Sequence, residues 1–330
     1  SSASIDAAAG HDLAIVTPED VAMPADGLNL RLNDDWWEPE ARLYNHKLPA
    51  AQAFARANRI DRIVIDSGSD ARLGIVTTGK SHLDVLEAFD RLGIDAARAR
   101  RLGIRLYKVG LVWPLDRDGI RTFAQGLEEI LVVEEKRPLL EAQIKDHLYG
   151  WQGGAAPARV LGKSDETGRP LLPTIGELDP LDIARIVTDR LGRLGRADEA
   201  LQAACAGTGH MLRRRAPVAP AAFKRPPHFC SGCPHNTSTR VPEGSLGAAG
   251  IGCHIMARLM ERGTYGFTQM GGEGAQWVGM APFSKLPHIF QNLGDGTYFH
   301  SGLLAIRQAI AAGVNITYKI LYNDAVAMTG

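Results

Sequence analysis

Short β-branched runs alternating with helix-period segments constrain this chain more than any other feature. Leu73-Gly74-Ile75-Val76-Thr77-Thr78 reads as a strand ending at Gly79. Ser81 is then placed to cap a helix in which Leu83, Val85, Leu86 and Phe89 share a face, and Gly93 closes it. Residues 104–112 predict a second strand stopped by Pro114, 118–126 a helix, 129–133 a third strand and 138–148 another helix. The pattern resumes further on, with strands over 264–270, 289–293 and 314–321 and helices running through Gly279 and over 301–312. Strands alternating with helices at this spacing mean βαβ units. The expected fold class is α/β, with two parallel-sheet domains.

Residues 1–70 break that rhythm, with prolines at 18, 24, 39 and 49 and the patch Asn33-Asp34-Asp35-Trp36-Trp37. They read as irregular chain, the tail of a preceding domain plus a linker. Residues 151–227 read as a connector: a Gly- and Pro-rich loop, helices near 180–191 and 197–212, and a stiff proline-rich stretch from Ala216 to Pro227. The expected division is 1–70, 71–150, 151–227 and 228–330.

Lysine plus arginine and aspartate plus glutamate both number 37, so formal charge is zero. A nucleic-acid binder needs a basic excess to displace counterions, and the cluster Arg213-Arg214-Arg215 reads as a solvated helix end. No 18-residue apolar run suggests a membrane span, and residues 1–10 lack the pattern of a signal peptide. The chain lacks an initiator methionine and stops at Met328-Thr329-Gly330 just after a strand and turn, so a piece of a longer polypeptide is expected. Four cysteines in 330 residues, two of them spaced Cys230-x-x-Cys233, suggest ligands or redox chemistry and a reducing, cytoplasmic home.

The most specific motif is Gly294-Asp295-Gly296 followed, after 26 residues, by Asn323. A strand turning sharply into a helix exposes amide N–H groups, and glycines let backbone approach a phosphate. Asp295 supplies a hard anionic oxygen there. One helix and one strand later, Asn323 supplies a second oxygen at the same edge of the sheet, where α/β ligands bind. With a backbone carbonyl near Ala325 and two diphosphate oxygens, these ligands suit octahedral Mg²⁺. The bland reading is a tight turn followed by a strand end.

Cys230-Ser231-Gly232-Cys233-Pro234-His235 and Gly250-Ile251-Gly252-Cys253 bring a second set of candidates. Thiolates on tight loops suit iron, or zinc completed by His228, His235 or His254, and buried unliganded thiols are the plain alternative. Cys205 lies beyond the proline-rich stretch and is set aside.

Three segments carry a resemblance. They are Gln269-Met270-Gly271-Gly272-Glu273-Gly274-Ala275-Gln276-Trp277, Gln291 through Gly302, and Asn323-Asp324-Ala325-Val326-Ala327-Met328-Thr329-Gly330. Together they resemble the indolepyruvate ferredoxin oxidoreductases of the 2-oxoacid:ferredoxin oxidoreductase family, in their long fused bacterial form. Residues 107–114 and 132–137 resemble that family's transketolase-C-terminal-like domain. The resemblance implies thiamine diphosphate held by Gly271, Gly272, Glu273, Gly294, Asp295, Gly296, Asn323 and Ala325, with Mg²⁺ on Asp295, Asn323 and Ala325. It also implies a 4Fe-4S cluster on Cys230, Cys233 and Cys253, with a fourth ligand beyond Gly330.

The implied reaction is oxidative decarboxylation of a 2-oxoacid such as indole-3-pyruvate to its acyl-CoA, with coenzyme A and ferredoxin as partners. Other implications are a homodimer, further domains of the same polypeptide, and an activating glutamate upstream of Ser1, without which this segment is expected to be inactive. Glu273 is the local candidate for that carboxylate, and His300 and Gln276 are candidates to line the substrate pocket. Two alternatives stay open: a non-oxidative thiamine-dependent decarboxylase or carboligase, and a metal-stapled non-enzymatic module.

Overall fold

The computed structural model of the chain describes residues 12–29, 31–151, 159–214, 223 and 225–322. It divides into two compact units, Ser1–Val218 and Ala219–Gly330.

The first unit is built on a five-stranded sheet in the order β1-β3-β2-β4-β5, with β1 at Arg62–Ile65, β2 at Leu73–Thr78, β3 at Ile104–Val109, β4 at Glu129–Val133 and β5 at Arg159–Leu161. All pairings are parallel except β1 with β3. Because side chains alternate across a strand, β2, β3 and β4 feed two apolar layers. Ile75, Leu106 and Leu131 face the layer holding Phe89, Ile183, Val187 and Leu191. Val76, Tyr107 and Val132 face the layer holding Ile120, Phe123, Leu140 and Ile144. Each fully buried leucine, isoleucine or phenylalanine contributes about 2 kcal/mol. Gly74 is required on the second face, since a Cβ there would stand 2.4 Å from Leu127 Cδ1.

The structure corrects several expectations for this unit. Residues 1–70 are not all irregular: helices Glu38–Arg42 and Leu48–Ala57 lead into β1, which joins the sheet's edge. The helix after β2 is Gly79–Arg91, starting two residues before Ser81, with Thr78 as N-cap and no side-chain cap. Gly79, at φ +48°, makes the sharp strand-to-helix turn, and Ser81 is buried. Strand β3 stops at Val109 because the next two amides, of Gly110 and Leu111, donate to Asp61 at 2.6 and 2.9 Å. Residues 159–161 and the helices Pro180–Arg193 and Glu199–Arg214 belong to the same unit, and Cys205 packs against its core.

The second unit has a four-stranded parallel sheet in the order β7-β6-β8-β9: β6 at Gly247–Ala248, β7 at Thr264–Tyr265, β8 at Ile289–Gly294 and β9 at Ile316–Leu321. Strand β7 is far shorter than 264–270, since Gly266 turns the chain at φ +57°. The core cluster is small: Ala248, Trp277 and Ile289, with Leu246, Ala281, Val314 and Ile316 against it. The Trp277 indole N–H donates to Asn315 O at 3.0 Å. Helices Ala275–Met280 and Leu303–Ala312 lie close to one another. No helix among the described residues is long and apolar enough to cross a membrane.

Candidate functional site

Strand β8 hands directly into a helical stretch. Gly294 is its last residue, extended at φ −71° and ψ 150°, and helix begins at Asp295. It continues without a break through a π-helical turn, Tyr298–Gly302, into Leu303–Ala312. Gly302 lets the helix lie close to the strand, since a Cβ there would meet Leu293 Cδ1 at 3.0 Å. The start of such a stretch presents unpaired amides and the positive end of its dipole at the carboxyl edge of the sheet. Asp295 sits at that edge, partly exposed, and its Oδ1 accepts the Gly296 amide at 2.9 Å. The donor set fits a divalent cation and a diphosphate: one hard carboxylate beside amides with no helical partner.

Asn323 and Ala325 lie outside the described residues. Strand β9 pairs Leu321 with Gly294, so the chain reaches the same edge two residues before Asn323.

The turn Gly271-Gly272-Glu273-Gly274 is held by protein contacts. Glu273 is completely buried, and its carboxylate accepts the Gly271 amide at 2.6 Å and the Ile251 amide at 3.5 Å. Gly271 and Gly274 have φ of +92° and +90°. A Cβ on either would stand 2.1 Å from a side-chain oxygen, Ser301 Oγ or Tyr318 Oη. Tyr318 donates to Glu273 O at 3.0 Å, and burial pushes its phenol up to about 12. Packing therefore accounts for these glycines. Gln276 lies in this network too, accepting the Gly274 amide and donating to Gln291, whereas His300 is exposed.

Cys230 and Cys233 bracket a tight turn, with Gly232 at φ +79° and Cys233 N–H donating to Cys230 O at 3.1 Å. Asn236 Nδ2 donates to both cysteine carbonyls, at 3.0 and 3.1 Å. Arg262 fixes the following residues by donating to Asn236 O at 2.7 Å and Thr239 Oγ1 at 2.8 Å, and it stacks over Phe229 at 5.4 Å. Cys230 is exposed, Cys233 and Cys253 are half-buried, and His228 is exposed. Among the described residues, no group of three or more His, Cys, Asp or Glu side chains is gathered to hold a metal ion. As arranged, then, the three cysteines do not fit a cluster.

In the sequence His235 and His254 stand out only as candidate zinc ligands, and nothing marks Asn292. All three are buried, at 3%, 2% and 0% exposure. His235 Nδ1, His254 Nε2 and both amide atoms of Asn292 have no hydrogen-bond partner. The imidazoles meet edge to face at 5.9 Å. Burial pushes His254 down to about 4, with His235 acting in the same direction and nearby Asp295 opposing. His235 is also lowered by burial, again against Asp295. The one available signal was the density of glycines around Cys253 and His254.

Comparison with known proteins places this geometry in context. Residues 63–214 match a family model described as the indolepyruvate oxidoreductase domain. The indolepyruvate oxidoreductase subunit IorA of Thermococcus kodakarensis is 26% identical over 290 residues, covering 81% of this chain and 40% of the relative. The subunit of the same name from Methanothermobacter marburgensis is 27% identical over 296 residues, covering 86% of this chain and 42% of the relative. The chain thus spans about 40% of the length of the curated relatives it matches. Among solved structures, a 2-oxoglutarate:ferredoxin oxidoreductase from Magnetococcus marinus is 16% identical at a TM-score of 0.31, covering 48% of this chain and 24% of its own. A split-gene transketolase is 20% identical at a TM-score of 0.28, covering 40% of this chain and 41% of its own. By its sequence, this chain is similar to the indolepyruvate oxidoreductases over most of its length, and residues 63–214 match their domain model.

Proposed function

We propose that this chain is the thiamine-diphosphate-binding part of an oxidative 2-oxoacid decarboxylase acting on an aryl 2-oxoacid of the indolepyruvate type. The observation that carries this reading is Asp295 at the start of an unbroken helical stretch, on the carboxyl edge of a parallel sheet. The names of its relatives support the substrate class.

In this reading Asp295, the Asn323 amide oxygen and the Ala325 carbonyl hold Mg²⁺, and the amides around Gly294 and Gly296 receive the diphosphate. Gly271, Gly272 and Glu273 form a rigid turn beside the bound cofactor. Thiamine diphosphate supplies the carbon nucleophile for the 2-oxo carbon and the electron sink for loss of CO₂. The protein orients it and excludes water. The overall balance is 2-oxoacid, coenzyme A and two oxidised ferredoxins giving acyl-CoA, CO₂, two reduced ferredoxins and a proton. The activating glutamate belongs to the remaining domains, the protein is a homodimer, and the assembly works in the cytoplasm.

Dye reduction tests this. Full-length protein supplied with Mg²⁺, thiamine diphosphate, indolepyruvate and coenzyme A should reduce a one-electron dye under anaerobic conditions, and this chain alone should not. Dye reduction by the chain alone would contradict the need for further domains. Release of CO₂ without dye reduction, from protein lacking iron and acid-labile sulfide, would replace the oxidative reading with the non-oxidative one.

A further inference from the structure

The His254 ring lies where three glycines converge. A Cβ on Gly250 would stand 2.8 Å from its Nε2, one on Gly252 2.9 Å from its Cε1, and one on Gly294 3.2 Å from its Cε1. Gly250 and Gly252 shape the loop that delivers Cys253, and Gly294 forms the turn that presents Asp295. The ring is therefore wedged between the two backbones, and its Nε2 bonds to neither. On its other side His235 packs edge-on, in the segment that Arg262 ties down. Close-packed interiors transmit displacement instead of absorbing it, so a ring against three bare backbones couples them mechanically.

We propose that His254 is a positioning residue that locks the Cys253 loop to the Gly294–Asp295 turn, so that a ligand seated at Asp295 is felt at Cys253. This rests on the reading of that edge as the diphosphate site. The wedge would keep the thiol loop in one place only while the turn is ordered, linking the two in both directions.

Hydrogen exchange read by mass spectrometry on the full-length protein, with and without Mg²⁺ plus thiamine diphosphate, tests it. Exchange should slow at least about tenfold both in peptides covering 294–297 and in those covering 250–254. In His254→Asn, whose shorter side chain leaves the gap open, slowing should remain at 294–297 and be lost at 250–254. His254→Phe, which fills the same space without a ring nitrogen, should restore it. Slowing at 294–297 alone in the unaltered protein overturns the coupling and leaves the cofactor reading intact. Persistence at 250–254 in His254→Asn also overturns it. No slowing at either segment removes the diphosphate site and this inference with it. Should His254→Asn fail to fold, the unaltered protein and His254→Phe still decide the matter, because absence of slowing at 250–254 in either rejects the wedge.

Discussion

The two units treat buried polarity differently. In the first, Glu129 at 0% exposure meets Arg190 at 1% in a two-pronged pair, with Glu166 on the same guanidinium at 3.0 Å. Arg105 ties Asp66 to three backbone carbonyls, and Glu134 accepts three successive amides at the start of the helix Leu140–Leu148. In the second, His235, His254 and Asn292 are equally buried, and the side-chain atoms named above are unpartnered, beside a far smaller apolar core. A polar group buried without a partner costs about 1–3 kcal/mol. The first unit pairs its most deeply buried charges, and its unpartnered atoms, such as Asp61 Oδ2 and His46 Nδ1, lie apart from them; the second keeps its unpartnered imidazoles and amide next to the edge where chemistry is proposed. Such costs gather where a site needs them.

The largest effect expected lies in the scaffold. Arg190→Leu leaves Glu129 buried with only Arg159, at 3.7 Å, nearby, and should destabilise the first unit by about 3–5 kcal/mol in urea unfolding. Removing both charges, as in Glu129→Leu with Arg190→Leu, should recover most of that loss. If the single variant costs no more than the double, the paired-charge account of this unit is wrong.

Protonation should separate the units next. His254 has a folded value of about 4 against 6.5 unfolded, so between these values the unfolded chain binds more protons. Its contribution is fully present above pH 6.5 and lost as pH falls toward 4, about 3 kcal/mol in all. Urea midpoints of the second unit, followed by Trp277 fluorescence, should drop across that window in the native sequence and less in His254→Phe. An equal drop in both would locate the pH sensitivity elsewhere.

A smaller effect should run the other way. Asn292→Leu removes two unpartnered atoms from the second unit and should stabilise it by about 1–3 kcal/mol. Destabilisation on thermal or urea unfolding would mean that Asn292 has partners, such as ordered water, and would narrow the contrast between the units.

How far this was legible in the sequence follows the same division. Strands β2 and β4 fall at the expected residues because each is a short apolar run between turn signals, buried on both faces. Gly93, at φ +64°, closes the following helix as read. Strand β1 was missed: Arg62-Ile63-Val64-Ile65 is four residues at a sheet edge, and its place depends on antiparallel pairing with β3, some forty residues later. The Glu129–Arg190 pair spans 61 residues and leaves no local trace. At the site, Asp295 was legible because strand, turn and helix are contiguous. The His254 wedge was not, since it exists only once the fold brings Gly250, Gly252 and Gly294 together.

Titration calorimetry of the full-length protein with thiamine diphosphate, with and without Mg²⁺, tests the central claim most directly. Binding should require Mg²⁺ and weaken at least about tenfold in Asp295→Ala, the loss of one charged ligand. Binding that ignores Mg²⁺, or that survives Asp295→Ala unchanged, would contradict the assignment of this edge to the cofactor.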